Sequence, residues 1–121
     1  MNYKGYLISL CLGVTSILQA QICPHPLTSS LYSGKVPPDW YINPFSNETP
    51  QAGIADFARA NILVAGYGQG IMCTYRQRGS EYSIWQTGRV KLPSRLSPYW
   101  VETLGGYACS MSLDDCVFTM L

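Results

Sequence analysis

The residues with the most chemical reach in this sequence are four cysteines, Cys23, Cys73, Cys109 and Cys116, and a lone histidine, His25. Thiols and imidazole can hold a metal ion, but metal sites come with short paired spacings such as Cys-x-x-Cys, which the chain lacks. Cys23-Pro-His25 offers two donors and no second pair. No metal and no cofactor is therefore expected. The other use of thiols is bridging. An even number of cysteines in a small exported chain reads as a disulfide framework, for which three connectivities exist. Cys109 and Cys116 flank a short turn-like segment and are paired on that ground, which leaves Cys23 with Cys73. The longer closure is worth roughly 3–4 kcal/mol in loop-entropy terms.

His25 is also the side chain suited to acid–base work near neutral pH. It lies between Pro24 and Pro26. A small hydrolase built on it is one reading, although no Gly-x-Ser-x-Gly elbow accompanies it. A carboxylate pair for glycoside cleavage has to be drawn from Asp39, Glu48, Asp56, Glu81, Glu102, Asp114 and Asp115. Asp114 and Asp115 are adjacent and point different ways, as turn residues do. The stretch ILVAGYGQGIMC, Ile62 to Cys73, invites a phosphate-loop reading. Its Gly66, Gly68 and Gly70 miss the final spacing of the dinucleotide fingerprint, no P-loop lysine follows, and a strand pattern comes next. A glycine-rich turn or bulge between two strands is expected instead. No catalytic residue is assigned.

Trp40, Tyr41, Trp85 and Trp100 are the remaining candidates. Aromatic faces stack on sugar rings and anchor protein partners. These four are read as a binding platform for a glycan or for a host or envelope protein, with core packing as the plainer alternative. Tyr82 and Trp85 fall on opposite faces of one strand, so both are core only if the sheet is covered twice. A protease or hydrolase inhibitor is a further reading, its reactive segment being Val36-Pro-Pro-Asp39 or Lys91-Leu-Pro-Ser94.

The elements that must position these residues follow an address. Lys4 is the only charge before residue 35, Tyr6 to Leu18 is apolar, and Ala20 ends a short polar stretch. That is the pattern of a secretory signal cut after Ala20, and the apolar run falls short of the about 18 residues a span requires. The signal carries away Cys11 and leaves one domain, residues 21–121, with no stable membrane insertion after cleavage. Seven basic residues then face seven acids, so net charge gives no warrant for nucleic acid or for an anionic membrane.

Residues 21–53 hold six of the eight prolines and read as an ordered, irregular wrap pinned by Cys23 and by aromatics packed on a sheet. The sequon Asn47-Glu-Thr49 marks an exposed loop. From Phe57 the β-branched residues favour strand over helix. Ile71–Gln77 and Tyr82–Thr87 alternate apolar and polar residues around an Arg78-Gly turn, and Arg89–Leu92 continues the alternation as another strand. Ser97-Pro98 can cap a helical turn, with an edge strand over Tyr99–Leu104 as the alternative. Tyr107–Cys109 and Val117–Met120 read as strands, and Ser112–Asp115 as one helical turn. The predicted fold is a mainly β antiparallel meander or sandwich-like domain with two disulfides, a β-rich α+β arrangement being the variant.

The combination of a signal, Cys23-Pro, an aromatic proline-rich wrap with Trp40, Cys73-Thr-Tyr75, Trp100 and Cys109-x6-Cys116-x-Phe118 resembles a family of small secreted gammaproteobacterial proteins of unknown function. The resemblance covers nearly all of residues 21–121 and implies export to the periplasm or beyond. It supplies no catalytic residues and supports the disulfide framework. The function expected is a secreted or periplasmic, non-enzymatic binding module. The framework has a direct check: intact mass should rise by four hydrogens on reduction, two per bridge, and an unchanged mass would refute it.

Overall fold

The computed structural model describes residues 19–46, 48–65 and 68–121. Most of the expected leader, Asn47 of the sequon and the Gly66–Tyr67 pair lie outside the described residues. The described residues contain eight strands: β1 (Ala20–Gln21), β2 (Tyr41–Ile42), β3 (Asp56–Leu63), β4 (Gly70–Gln77), β5 (Ser80–Thr87), β6 (Val101–Thr103), β7 (Gly106–Cys109) and β8 (Phe118–Thr119). The expected cleavage point falls inside β1. Six strands form one antiparallel sheet in the order β2-β5-β4-β3-β7-β6, and β1 pairs with β8 in a second, smaller one. The mainly β, antiparallel expectation is met.

The meander β3-β4-β5 is the centre of the sheet, and its alternation is the reason. Ile71, Cys73, Tyr75 and Gln77 of β4 point to one face, with Tyr82 and Ile84 of β5 and Ala60 and Ile62 of β3 beside them. Arg78 (φ 54°) and Gly79 (φ 78°) make a two-residue turn with both φ values positive. Arginine is an unusual choice for the first position. Its guanidinium donates to the Gln51 side-chain carbonyl and to the Ala52 backbone carbonyl, so the turn also holds the wrap. The other end of the hairpin pair, residues 64–69, is the glycine-rich connection of β3 to β4, as expected from its spacing.

Among the described residues, no helical layer covers the buried face. The proline-rich wrap crosses it with one short 3-10 turn (Ser30–Tyr32), and it places Leu31 and Cys23 in the core. Both expected disulfides are present: Cys23–Cys73 ties the wrap to the middle of β4, and Cys109–Cys116 closes the loop between β7 and β8. The Tyr75 hydroxyl donates to the Pro24 carbonyl at 2.7 Å. Gln77 behaves as a false strand. Its side-chain amide donates to the Gln51 carbonyl and its oxygen accepts from the Gln51 N–H, at 2.8 and 3.0 Å. These bonds satisfy backbone groups that an irregular segment otherwise leaves unpaired.

One local expectation is corrected, an open alternative is decided, and a predicted turn is found. Arg89–Leu92 does not join the sheet as a further strand. The chain leaves β5 at Gly88 (φ 138°) and makes only an isolated bridge, Val90 with Met120. The segment after Pro98 is the edge strand β6 rather than a helix, because pairing with β7 satisfies its backbone. Ser112–Asp115 forms the expected single turn: the Asp115 and Cys116 N–H groups donate to the Ser112 carbonyl, and the Ser112 hydroxyl donates to the Asp115 carboxylate. Among the described residues, no helix is long and apolar enough to cross a membrane.

The core is strongly aromatic. Tyr75 and Tyr82 stack with centroids 5.2 Å apart, and Phe57 meets Tyr75 edge-on. Burial pushes the Tyr82 phenol up to about 12, and raises the Tyr75 phenol further, with the neighbouring Tyr82 adding to the effect. A raised folded-state value means that the unfolded chain loses these protons first. The stability linked to these phenols is therefore fully present below about pH 10 and is lost as pH rises from there through the folded value near 12. The check is melting temperature at about pH 9 and about pH 11. The drop for Tyr82→Phe should be smaller than for wild type, and an equal drop would refute the assignment.

Candidate functional site

The cross-strand register decides which sequence candidates can act together. Tyr41 lies opposite Trp85, Trp85 opposite Met72, Met72 opposite Asn61, and Asn61 opposite Ala108. This single row runs along the face of the sheet turned away from the core. Trp40, one residue from Tyr41, points to the other side and packs edge-on against Phe118 at 6.4 Å. Trp100 is only 8% exposed, and its indole N–H donates to the Val117 carbonyl. The four aromatic candidates therefore divide. Trp40 and Trp100 help bury the core, while Tyr41 and Trp85 share the outer face.

That face carries a groove of about 370 Å³, lined chiefly by Pro44, Phe45, Leu63, Met72 and Trp85, with Asn43 at one side. Sequence reasoning found Trp85 but not Phe45, Met72 or Leu63. Parity along β4 could have placed Met72 opposite Cys73's side. Its meeting with Trp85 depends on register, which no local pattern reveals.

The groove is built before any ligand arrives. Asn43 N–H donates to the Ser83 carbonyl and anchors the lip to β5. The Asn43 carboxamide oxygen then accepts from Phe45 N–H at 2.9 Å, and its nitrogen contacts the Met72 sulfur at 2.8 Å. An Asn-Pro sequence is suited to such a turn. Phe45 is held 89% exposed, so its ring is displayed rather than buried. Under the Trp85 indole sits Gly70 (φ 150°). A Cβ there would lie 2.9 Å from the indole nitrogen and collide with the Gln86 carbonyl. The glycine that looked like part of a phosphate loop clears the space for Trp85.

The rest of the outer face is polar. Arg59 and Glu81 make a two-point ion pair at 2.9 and 3.2 Å, and the Thr74 and Ser83 hydroxyls are 2.8 Å apart. The hydrogen bonds from Arg59 hold the Glu81 carboxyl below its ordinary value. The pair is exposed, so its contribution to stability is small. It borders the apolar groove without lining it.

The other chemical candidates are dispersed. The ring of His25 accepts a hydrogen bond from Leu27 N–H, two residues on, and the residue sits exposed in a turn. Among the described residues, no group of three or more His, Cys, Asp or Glu side chains gathers as a metal would require. The two candidate inhibitor segments are each tied by a backbone hydrogen bond. Trp40 N–H bonds Pro37 C=O across a turn in which Asp39 has φ 71°, and Lys91 N–H is paired with Thr119 C=O.

Compared with protein-family models, curated proteins and solved structures, the chain matches none. The groove therefore has to be read from its own chemistry.

Gly70→Ala tests the construction of the site. The added methyl forces the Trp85 ring or strand β5 to move, and this should lower stability by about 2 kcal/mol or more. Denaturant unfolding measures it. A variant as stable as wild type would show that the close approach is not a constraint.

Proposed function

We propose that the protein is an exported binding module whose outer-face groove takes an apolar side chain of a protein partner. The observation that carries this reading is the groove itself: Trp85, Phe45, Met72 and Leu63 line it together with a proline, and among the described residues no charged side chain does. A sugar ring also stacks on tryptophan, but glycan sites add polar groups aimed at hydroxyls. Here Asn43 is the polar lining residue, and its carboxamide is already engaged with Phe45 and Met72. Of the two ligand classes expected from the sequence, the lining favours protein over glycan.

Several physical features support the reading. Aromatic residues and methionine are the side chains that concentrate binding energy at protein interfaces. The lip is fixed by local hydrogen bonds, so little ordering entropy is lost when it is filled. Two disulfides fit an oxidising compartment, as does the secretory pattern of the leader. The resemblance to small secreted proteins of gammaproteobacteria points the same way.

Selection of displayed peptides on the immobilised protein tests the proposal. Enriched peptides should share an aromatic or large aliphatic anchor. Affinity for one such peptide should fall about thirtyfold in Trp85→Ala, the size expected for a central interface anchor, and also in Met72→Glu. A glycan array should stay dark. Peptides without a common anchor, or affinities unchanged by both substitutions, would sink the proposal.

A further inference from the structure

A second surface stands out once charge is mapped onto the fold. Of the seven lysines and arginines after residue 20, three lie within seven residues: Arg89, Lys91 and Arg95. No carboxylate side chain occurs between Glu81 and Glu102. The remaining four cations face seven acids, so a neutral chain is divided into one basic loop and an acidic remainder. Among the described residues the one ion pair is Arg59–Glu81, and these three cations make none.

The same loop displays its leucines. Leu92 is 56% exposed and Leu96 is 91% exposed. Each follows a cation directly, as Lys91-Leu92 and Arg95-Leu96. The display is fixed by bonding. At one end Val90 is buried and bridges Met120, with Lys91 N–H bonded to Thr119 C=O. At the other end Trp100 is buried and bonded to Val117. Between them, Ser94 accepts from Leu96 N–H through its hydroxyl and from Ser97 N–H through its carbonyl, and the Ser97 hydroxyl accepts from Tyr99 and Trp100 N–H. The turn is thus held at both ends with the Leu96 side chain directed into solvent.

We infer that the Arg89–Tyr99 loop docks the protein peripherally on an anionic phospholipid bilayer. Leucines enter the headgroup–acyl boundary, while Lys91 and Arg95 meet the lipid phosphates. The basic charge of the loop is complementary to that surface. A bilayer also accepts a turn that exposes leucines beside its cations, whereas a protein partner would need a matching acidic surface. Val90 and Trp100 fasten the loop on the core side of the sheet, and the groove opens on the opposite side. The two surfaces can therefore be occupied at once. This contact is peripheral and adds no membrane span.

Vesicle co-sedimentation of the full-chain protein tests the inference. Phosphatidylglycerol–phosphatidylcholine vesicles should retain it more strongly than phosphatidylcholine alone, and added salt should release it. Variants are compared on the same N-terminus, so any retained leader acts equally in all of them. Lys91→Glu with Arg95→Glu should cut the partition at least tenfold, since one cation alone is worth roughly fivefold near such a surface. Leu92→Ser with Leu96→Ser should weaken it similarly without shifting the melting temperature, because all four side chains are exposed. Equal retention on both vesicle types, or variants that bind like wild type, would overturn the inference. So would binding to polyglutamate that survives loss of the leucines while anionic vesicles are ignored, which would assign the loop to an acidic macromolecule. If a variant fails to fold, the salt and lipid dependence of wild type still decides.

Discussion

The bond on which the fold depends is the bridge from Cys23 to Cys73. It fastens an irregular, proline-rich layer to the middle of the central strand of a sheet that has only one buried face. A helix lying on that face would satisfy its own backbone and present a continuous apolar stripe. The wrap does neither. It contributes few large apolar side chains, chiefly Leu31, Val36 and Trp40, and ordering each of its residues costs about 1–2 kcal/mol of backbone entropy. A crosslink closing a 50-residue separation restricts the unfolded chain by about 4 kcal/mol on the loop-entropy account. Tyr75–Pro24, Gln77–Gln51 and Arg78–Ala52 then fasten the layer at discrete points along its path.

Parts of this arrangement are legible in the sequence because they depend on near neighbours. Alternation marks β4 and β5, Arg78-Gly79 marks their turn, and the close spacing of Cys109 and Cys116 marks one bridge and thereby the other. The parity of Tyr82 and Trp85 shows that one of them must leave the core, and Trp85 does. Parity also separates Trp40 from Tyr41, although reading them together as a platform passes over it. What depends on distant partners is hidden. Val90 looks like the next member of an alternating strand. Gly88 turns the chain away, and a different segment, β2, takes the place beside β5. Gln77 reads as an ordinary polar strand end. Only the arrival of Gln51 makes it a backbone substitute. The groove is the extreme case, since Phe45, Leu63, Met72 and Trp85 come from four separate stretches of chain.

Leaving one face of the sheet uncovered has two effects on what the molecule can display. The outer face keeps its aromatic row open because the wrap reaches it at one edge, where Asn43, Pro44 and Phe45 form the lip of the groove, and the polar Arg59–Glu81 end keeps the rest of that face compatible with water. The core side ends in a loop whose buried anchors, Val90 and Trp100, free the residues between them from packing. Sheet parity thus separates the apolar groove from the basic turn, and net charge, being zero, conceals the separation.

The connectivity of the bridges also bears on how such a chain matures. The four cysteines after residue 20 are joined first to second and third to fourth, Cys23 to Cys73 and Cys109 to Cys116. For a polypeptide that emerges N-terminus first into an oxidising space, order of appearance and native pairing coincide. Cys23 meets its proper partner before either competitor has emerged, and the second pair arrives with the first already closed. A crossed pattern would leave early thiols waiting, or trapped with the wrong mate until exchange released them. Sequential oxidation is enough to install this framework, with no demand for reshuffling.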